Sequence, residues 1–98
     1  MTRYHLLPRA LQEFEEAVEH YLELSSEAAS RFVDEFEAAV SFICDNPKAP
    51  QRFEGDLRRW NLQRFPYALI YRIIDARVVI VAVMHMRREP GYWKTRRS

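Results

Sequence analysis

The apolar residues of this chain change period once, and that change limits what the chain can fold into. Between Arg9 and Asn46 they recur at helical spacing; from residue 57 to 87 they alternate or run on continuously, as strands do. Leu11, Phe14, Val18, Tyr21 and Leu22 form one helical stripe, with Glu13, Glu15, Glu16, Glu19 and Glu23 largely off it. Ser25-Ser26-Glu27 then supplies a helix N-cap with an acid in the first turn. A second stripe follows in Ala29, Phe32, Val33, Phe36, Val40 and Ile43. Asp45-Asn46-Pro47 stops it, because a residue before proline is pushed out of the helical region. Two helices with so short a link fold back on each other.

Residues 2–7 read as a short first strand that Pro8 ends, at a position where a first helical turn tolerates proline. Residues 47–56, with two prolines and a glycine, read as a loop. Three strands are expected at about 57–64, 67–74 and 78–87. Tyr67, Leu69, Tyr71 and Ile73 share one face of the middle strand, while Val78 to Val83 is apolar throughout, as in a strand covered on both sides. Asp75-Ala76-Arg77 is a hairpin connection. The fold class is α+β, in the order β-α-α-β-β-β. The helical hairpin packs on a mainly antiparallel sheet in a single domain over residues 1–98.

Charge divides the chain where the period does. Residues 1–50 carry four basic and ten acidic side chains, and residues 51–98 carry eleven and four, so the net charge of +1 hides an acidic half and a basic half. No run approaches the ~18 apolar residues of a membrane span, and the start lacks a signal-peptide pattern. Cys44 is the only cysteine, which rules out an intrachain disulfide. These features point to the cytoplasm and to no membrane partner. His5, His20 and His85 are too scattered for a zinc site with one cysteine, so no metal and no cofactor are expected.

The candidate contact residues are Arg58, Arg59, Arg64, Arg72, Arg87, Arg88, Tyr92 and Trp93, all in the basic half. Arginines at strand ends grip phosphate or carboxylate with paired donors. They also pair with acidic helices or solvate a sheet face, which contributes little. His85, Arg88 and Tyr92 carry groups suited to proton transfer and phosphate binding, with the reference pKa of histidine lying close to neutrality. The simpler reading of His85 is a strand-end histidine bonded locally.

Arg64-Phe65-Pro66-Tyr67, the following Tyr71-Arg72-Ile73, and the ending His85-Met86-Arg87-Arg88-Glu89-Pro90-Gly91-Tyr92-Trp93 resemble the RelE/ParE superfamily of type II toxin–antitoxin toxins. The helical stretch with Ala28-Ala29, Arg31-Phe32 and Asp34-Glu35 resembles its ParE-like branch, and the likeness covers nearly the whole chain. It implies a small toxin neutralised by a cognate antitoxin, meeting operator DNA only through that antitoxin. RelE-like members cut mRNA on the ribosome; ParE-like members inhibit DNA gyrase by binding. In RelE-like ribonucleases the residue after the tyrosine that opens the central strand is a catalytic arginine; here Ala68 follows Tyr67. Asn61 likewise stands where a second lysine is expected. A phosphate-stabilising set so reduced loses transition-state stabilisation. The expectation is therefore a ParE-like gyrase inhibitor with no catalytic residue. The alternative the resemblance implies is a RelE-like ribosome-dependent mRNA endonuclease using His85, Arg88 and Tyr92.

Overall fold

The computed structural model describes residues 3–87. In chain order they form β1 (Tyr4–Leu6), α1 (Pro8–Leu24), α2 (Ser26–Asp45), β2 (Arg52–Glu54), β3 (Leu57–Asn61), β4 (Tyr67–Ile74) and β5 (Arg77–His85). The strands make one sheet in the order β1-β5-β4-β3-β2. β1 runs parallel to β5, and the other neighbours are antiparallel. Among the described residues, no helix is long and apolar enough to cross a membrane.

One residue makes the turn between the helices. Ser25 is fully extended (φ −171°, ψ 154°), so it ends α1 and serves as N-cap of α2, its hydroxyl accepting from the Ala28 amide at 3.0 Å. Such a cap contributes about 1 kcal/mol. α2 stops at Asp45, ahead of Pro47, as its sequence demands.

The buried face of α1 is rotated from the expected stripe. Ala10, Ala17 and Tyr21 are buried, while Leu11 and Leu22 remain 44% and 53% exposed. α1 packs against β5 and α2, and small side chains at Ala10 and Ala17 let its backbone come close, which leaves the leucines on the flank. α2 follows its pattern, burying Ala29, Phe32, Phe36, Val40 and Ile43 and leaving Val33 half-buried.

The two layers meet through aromatic rings. Tyr21 and Phe32 each meet Phe65 and Tyr67 edge-on, with centroids 5.0–6.3 Å apart, and Phe14 closes the group against Phe32 and Phe36. Ring pairs of this kind contribute ~0.5–1.5 kcal/mol each beyond area burial. Phe65 comes from the turn before β4, so this core also fixes that turn.

β4 and β5 are the centre of the sheet. Tyr67 to Tyr71 and Val78 to Met84 are all buried. Ile70 pairs with Ala82 but Tyr71 pairs with Ile80, so Val81 is an extra residue in a bulge. Asp75 and Ala76 close the hairpin at φ 49° and 62°, the left-handed conformation that a tight two-residue loop requires.

The segment 47–56 holds more than a loop. Arg52–Glu54 pairs with β3 as a short edge strand, turning through Gly55 (φ 58°) and Asp56. A three-residue strand bounded by Pro50 and Gly55 carries too little alternation for periodicity to detect.

Candidate functional site

Strand alternation divides the candidate residues between the two faces of the sheet. Tyr67 touches the helices, so Ala68, Ile70 and Arg72 turn the other way. Trp60 stacks on Phe42 of α2 with centroids 4.5 Å apart, which turns Arg59 and Asn61 to that same outer face.

Arg58 lies on the helix side and is committed there. Its guanidinium donates to the Lys48 and Pro50 carbonyls at 3.0 and 2.7 Å, tying the α2–β2 connection to the sheet. Arg59 donates through Nε to Asn61 Oδ1 at 2.8 Å and through Nη2 to Met86 Sδ at 3.0 Å, and it lies 5.5 Å over the Phe53 ring. Arg72 Nε reaches no closer than 4.0 Å to Asp56 Oδ1 and makes no hydrogen bond. Arg64 is exposed in the turn after β3, and Arg87 follows β5, its amide donating to His85 Nδ1 at 3.0 Å. Arg88, Tyr92 and Trp93 lie outside the described residues.

Ala68 pairs with Asn61 on one side and Met84 on the other, and it is 0% exposed. His85 pairs with Tyr67 and so points to the helix face, away from Arg59 and Ala68; its ring stands edge-on to Tyr67 at 5.0 Å. It borders a cleft of about 280 Å³ together with Glu13, Glu16, His20, Tyr67 and Val83. Burial, then the charges of Arg87 and His20, push the His85 imidazole below its ordinary value. Among the described residues, no three His, Cys, Asp or Glu side chains are placed to hold a metal ion. The chain thus brings Arg59 together with Asn61 and Met86, and leaves His85 apart from them.

Two residues outside the expected set organise this region. The Glu35 carboxylate of α2 accepts the amides of Gln63 and Arg64 at 2.6 and 3.1 Å, and the Glu13 carboxylate of α1 accepts the Val83 amide at 3.0 Å. In sequence both belong to an acidic face that reads as solvated. Only their positions beside the apolar stripes set them apart, and that signal is weak.

The family model for the ParE toxin of the type II toxin–antitoxin system parDE matches residues 4–90. A solved structure described as the chromosomal ParDE toxin–antitoxin system from P. aeruginosa superposes with a TM-score of 0.74 at 20% identity, covering 87% of this chain and 96% of that one. At that identity the likeness is one of fold. No curated protein matches the chain significantly.

Proposed function

This chain belongs to the family of ParE toxins of type II toxin–antitoxin systems, and on that premise we propose that it arrests growth by binding DNA gyrase, without cutting nucleic acid. It works in the cytoplasm and is held inactive by a cognate antitoxin, through which alone it meets operator DNA. The contact residues proposed for target or antitoxin are Arg59, Arg64, Arg72 and Arg87 on the sheet and its turns, together with Arg88, Tyr92 and Trp93, which lie outside the described residues.

One observation supports binding over cleavage: Ala68, at the place of the RelE-type catalytic arginine, is wholly buried. Metal-free RNA cleavage needs cations around the crowded phosphate and a base near the 2′-hydroxyl. The neighbouring Arg59 lies on the outer face with Asn61 and Met86, and His85 faces the other side of the sheet. Arg59 and His85, held on opposite faces, do not act on one phosphate.

Two assays on the purified chain test this reading. Gyrase-driven supercoiling should fall with added toxin, while mRNA programmed on ribosomes stays intact. Cuts at codon positions with unaffected supercoiling would overturn it.

A further inference from the structure

Ile70, Ala82 and Met84 turn away from both helices, yet Ile70 and Ala82 are 0% and Met84 3% exposed. The ladder sets their face. Ile70 pairs with Ala82 and Ala68 with Met84, one step out of phase with the helix-facing Tyr67. Val79, paired with Arg72, continues the row and is also buried.

An antiparallel sheet with one open face carries polar side chains there, whereas this row is apolar and dry. Among the described residues both helices lie on the other face and β2 lies at the sheet edge. The Arg59 side chain crosses the sheet to Met86 and accounts for the burial of Ala68. It does not account for Met84. β1 ends opposite Ile80, so Met84 has a strand neighbour on one side only, and a long side chain there is dry only under a cover.

We infer that residues 88–98, outside the described residues, fold back over this row and seat Tyr92 and Trp93 on Ile70, Ala82 and Met84. The described chain ends at Arg87, three residues past Met84 and at the same end of the sheet. Eleven residues span up to roughly 36 Å, and Met84 to Val79 takes only about 17 Å of strand. Pro90-Gly91 supplies the reversal. Tyr92 and Trp93, the large apolar side chains of this segment, follow it directly. Residues 1 and 2 do not suit the role: they join at Arg3, beside Val78 and at the far end of β5 from Met84.

Charge works against the seat. Arg59 and Arg72 frame the row, and Arg88, Lys94, Arg96 and Arg97 carry the same sign. The aromatics alone hold the segment down, so a partner that draws on Tyr92 or Trp93 lifts them out and opens the row. The inference stands whether gyrase or mRNA is the toxin's target.

Peroxide oxidation of the whole chain, read by peptide mass spectrometry, tests this. Hydrogen peroxide converts an accessible thioether to the sulfoxide, and Met86, 37% exposed, is the internal standard. Met84 should react about tenfold or more slowly than Met86 in the parent, and within about threefold of it in Tyr92→Ala/Trp93→Ala, as exposure sets the rate. Circular dichroism and thermal melts check that the double variant folds. If it does not, the photo-crosslinker p-benzoylphenylalanine in place of Trp93 decides, and should link within one chain to Ile70, Ala82 or Met84. Unchanged protection of Met84 in the folded double variant, crosslinks to α1 or α2, no crosslink within the chain, or protection lost on dilution, which marks a second copy as the cover, would each overturn the proposal.

Discussion

The Glu13 carboxylate of α1 accepts the backbone amide of Val83 at 3.0 Å, across the seam between helix and sheet. β1 is only three residues long and its last pair is Leu6 with Ile80, so β5 runs on past it. The Leu7 amide still reaches the Ile80 carbonyl at 3.0 Å. Beyond that point a helix side chain does what a strand would otherwise do.

Replacing Glu13 separates acceptor from shape. Glu13→Ala leaves a partly buried amide unpaired and should cost about 1–3 kcal/mol, whereas Glu13→Gln keeps an acceptor and should cost clearly less. Urea unfolding of the two variants measures the difference. Equal losses would show that the hydrogen bond contributes nothing of its own.

The β4–β5 hairpin carries removable strain. Ala76 sits at φ 62°, a conformation that costs an L-residue roughly 1–2 kcal/mol and glycine almost nothing. Ala76→Gly should therefore raise the unfolding free energy by up to about 1 kcal/mol, after the added flexibility of the unfolded chain is subtracted, seen as a higher urea midpoint with an unchanged m-value. A lower midpoint would mean that the loop is not held in this conformation in solution.

Tyr71 gives the fold an alkaline limit. Its hydroxyl donates to the Pro47 carbonyl at 2.7 Å, and burial pushes its pKa from 10.0 to about 12. A raised folded value favours the neutral phenol, so this stabilisation is complete below the unfolded value near 10 and is lost as pH rises from there through about 12. Tyr67 and Tyr21, both raised by burial, act in the same direction. Tyr71→Phe should lose roughly 0.5–1.5 kcal/mol at neutral pH and flatten the alkaline decline. A variant with the same decline as the parent would assign the effect to the other tyrosines.

His85 works in the opposite pH direction. Its folded pKa lies below the ordinary 6.5, so the stability it contributes is complete above 6.5 and falls away as pH drops through the folded value. Protonating Nδ1 also removes the acceptor of the Arg87 amide. Imidazole NMR should show His85 titrating below 6.5, and His85→Gln should leave gyrase inhibition standing. Loss of inhibition in a folded His85→Gln protein would return this residue to the chemistry.

Much of the fold was legible because helices and strands differ in period and because Ser25, Pro47 and the Asp75-Ala76 turn punctuate them. β2 was hidden by its length. Leu11 and Leu22 were misplaced because a stripe reports which residues are apolar, whereas close approach at Ala10 and Ala17 decides which are covered. The site was less legible. Arg58 and Arg59 look alike in sequence, yet alternation sends them to opposite faces. Arg58 braces the α2–β2 connection, while Arg59 joins Met86, a residue that only the β3-β4-β5 order brings near. Glu13 and Glu35 were invisible because pairing with backbone amides leaves no composition signal.

The parallel pairing of Tyr4 with Val78 joins the first strand of the chain to the last one described. Closing so long a loop costs chain entropy that only the finished sheet repays, so this contact forms late and slows folding. During synthesis β1 waits, and the helical hairpin has no β5 to pack against until residues 77–85 have emerged. The sheet that carries Arg59 and Arg72 is therefore complete at neither end of the chain alone: its first strand has no neighbour until residues 77–85 are there to pair with it.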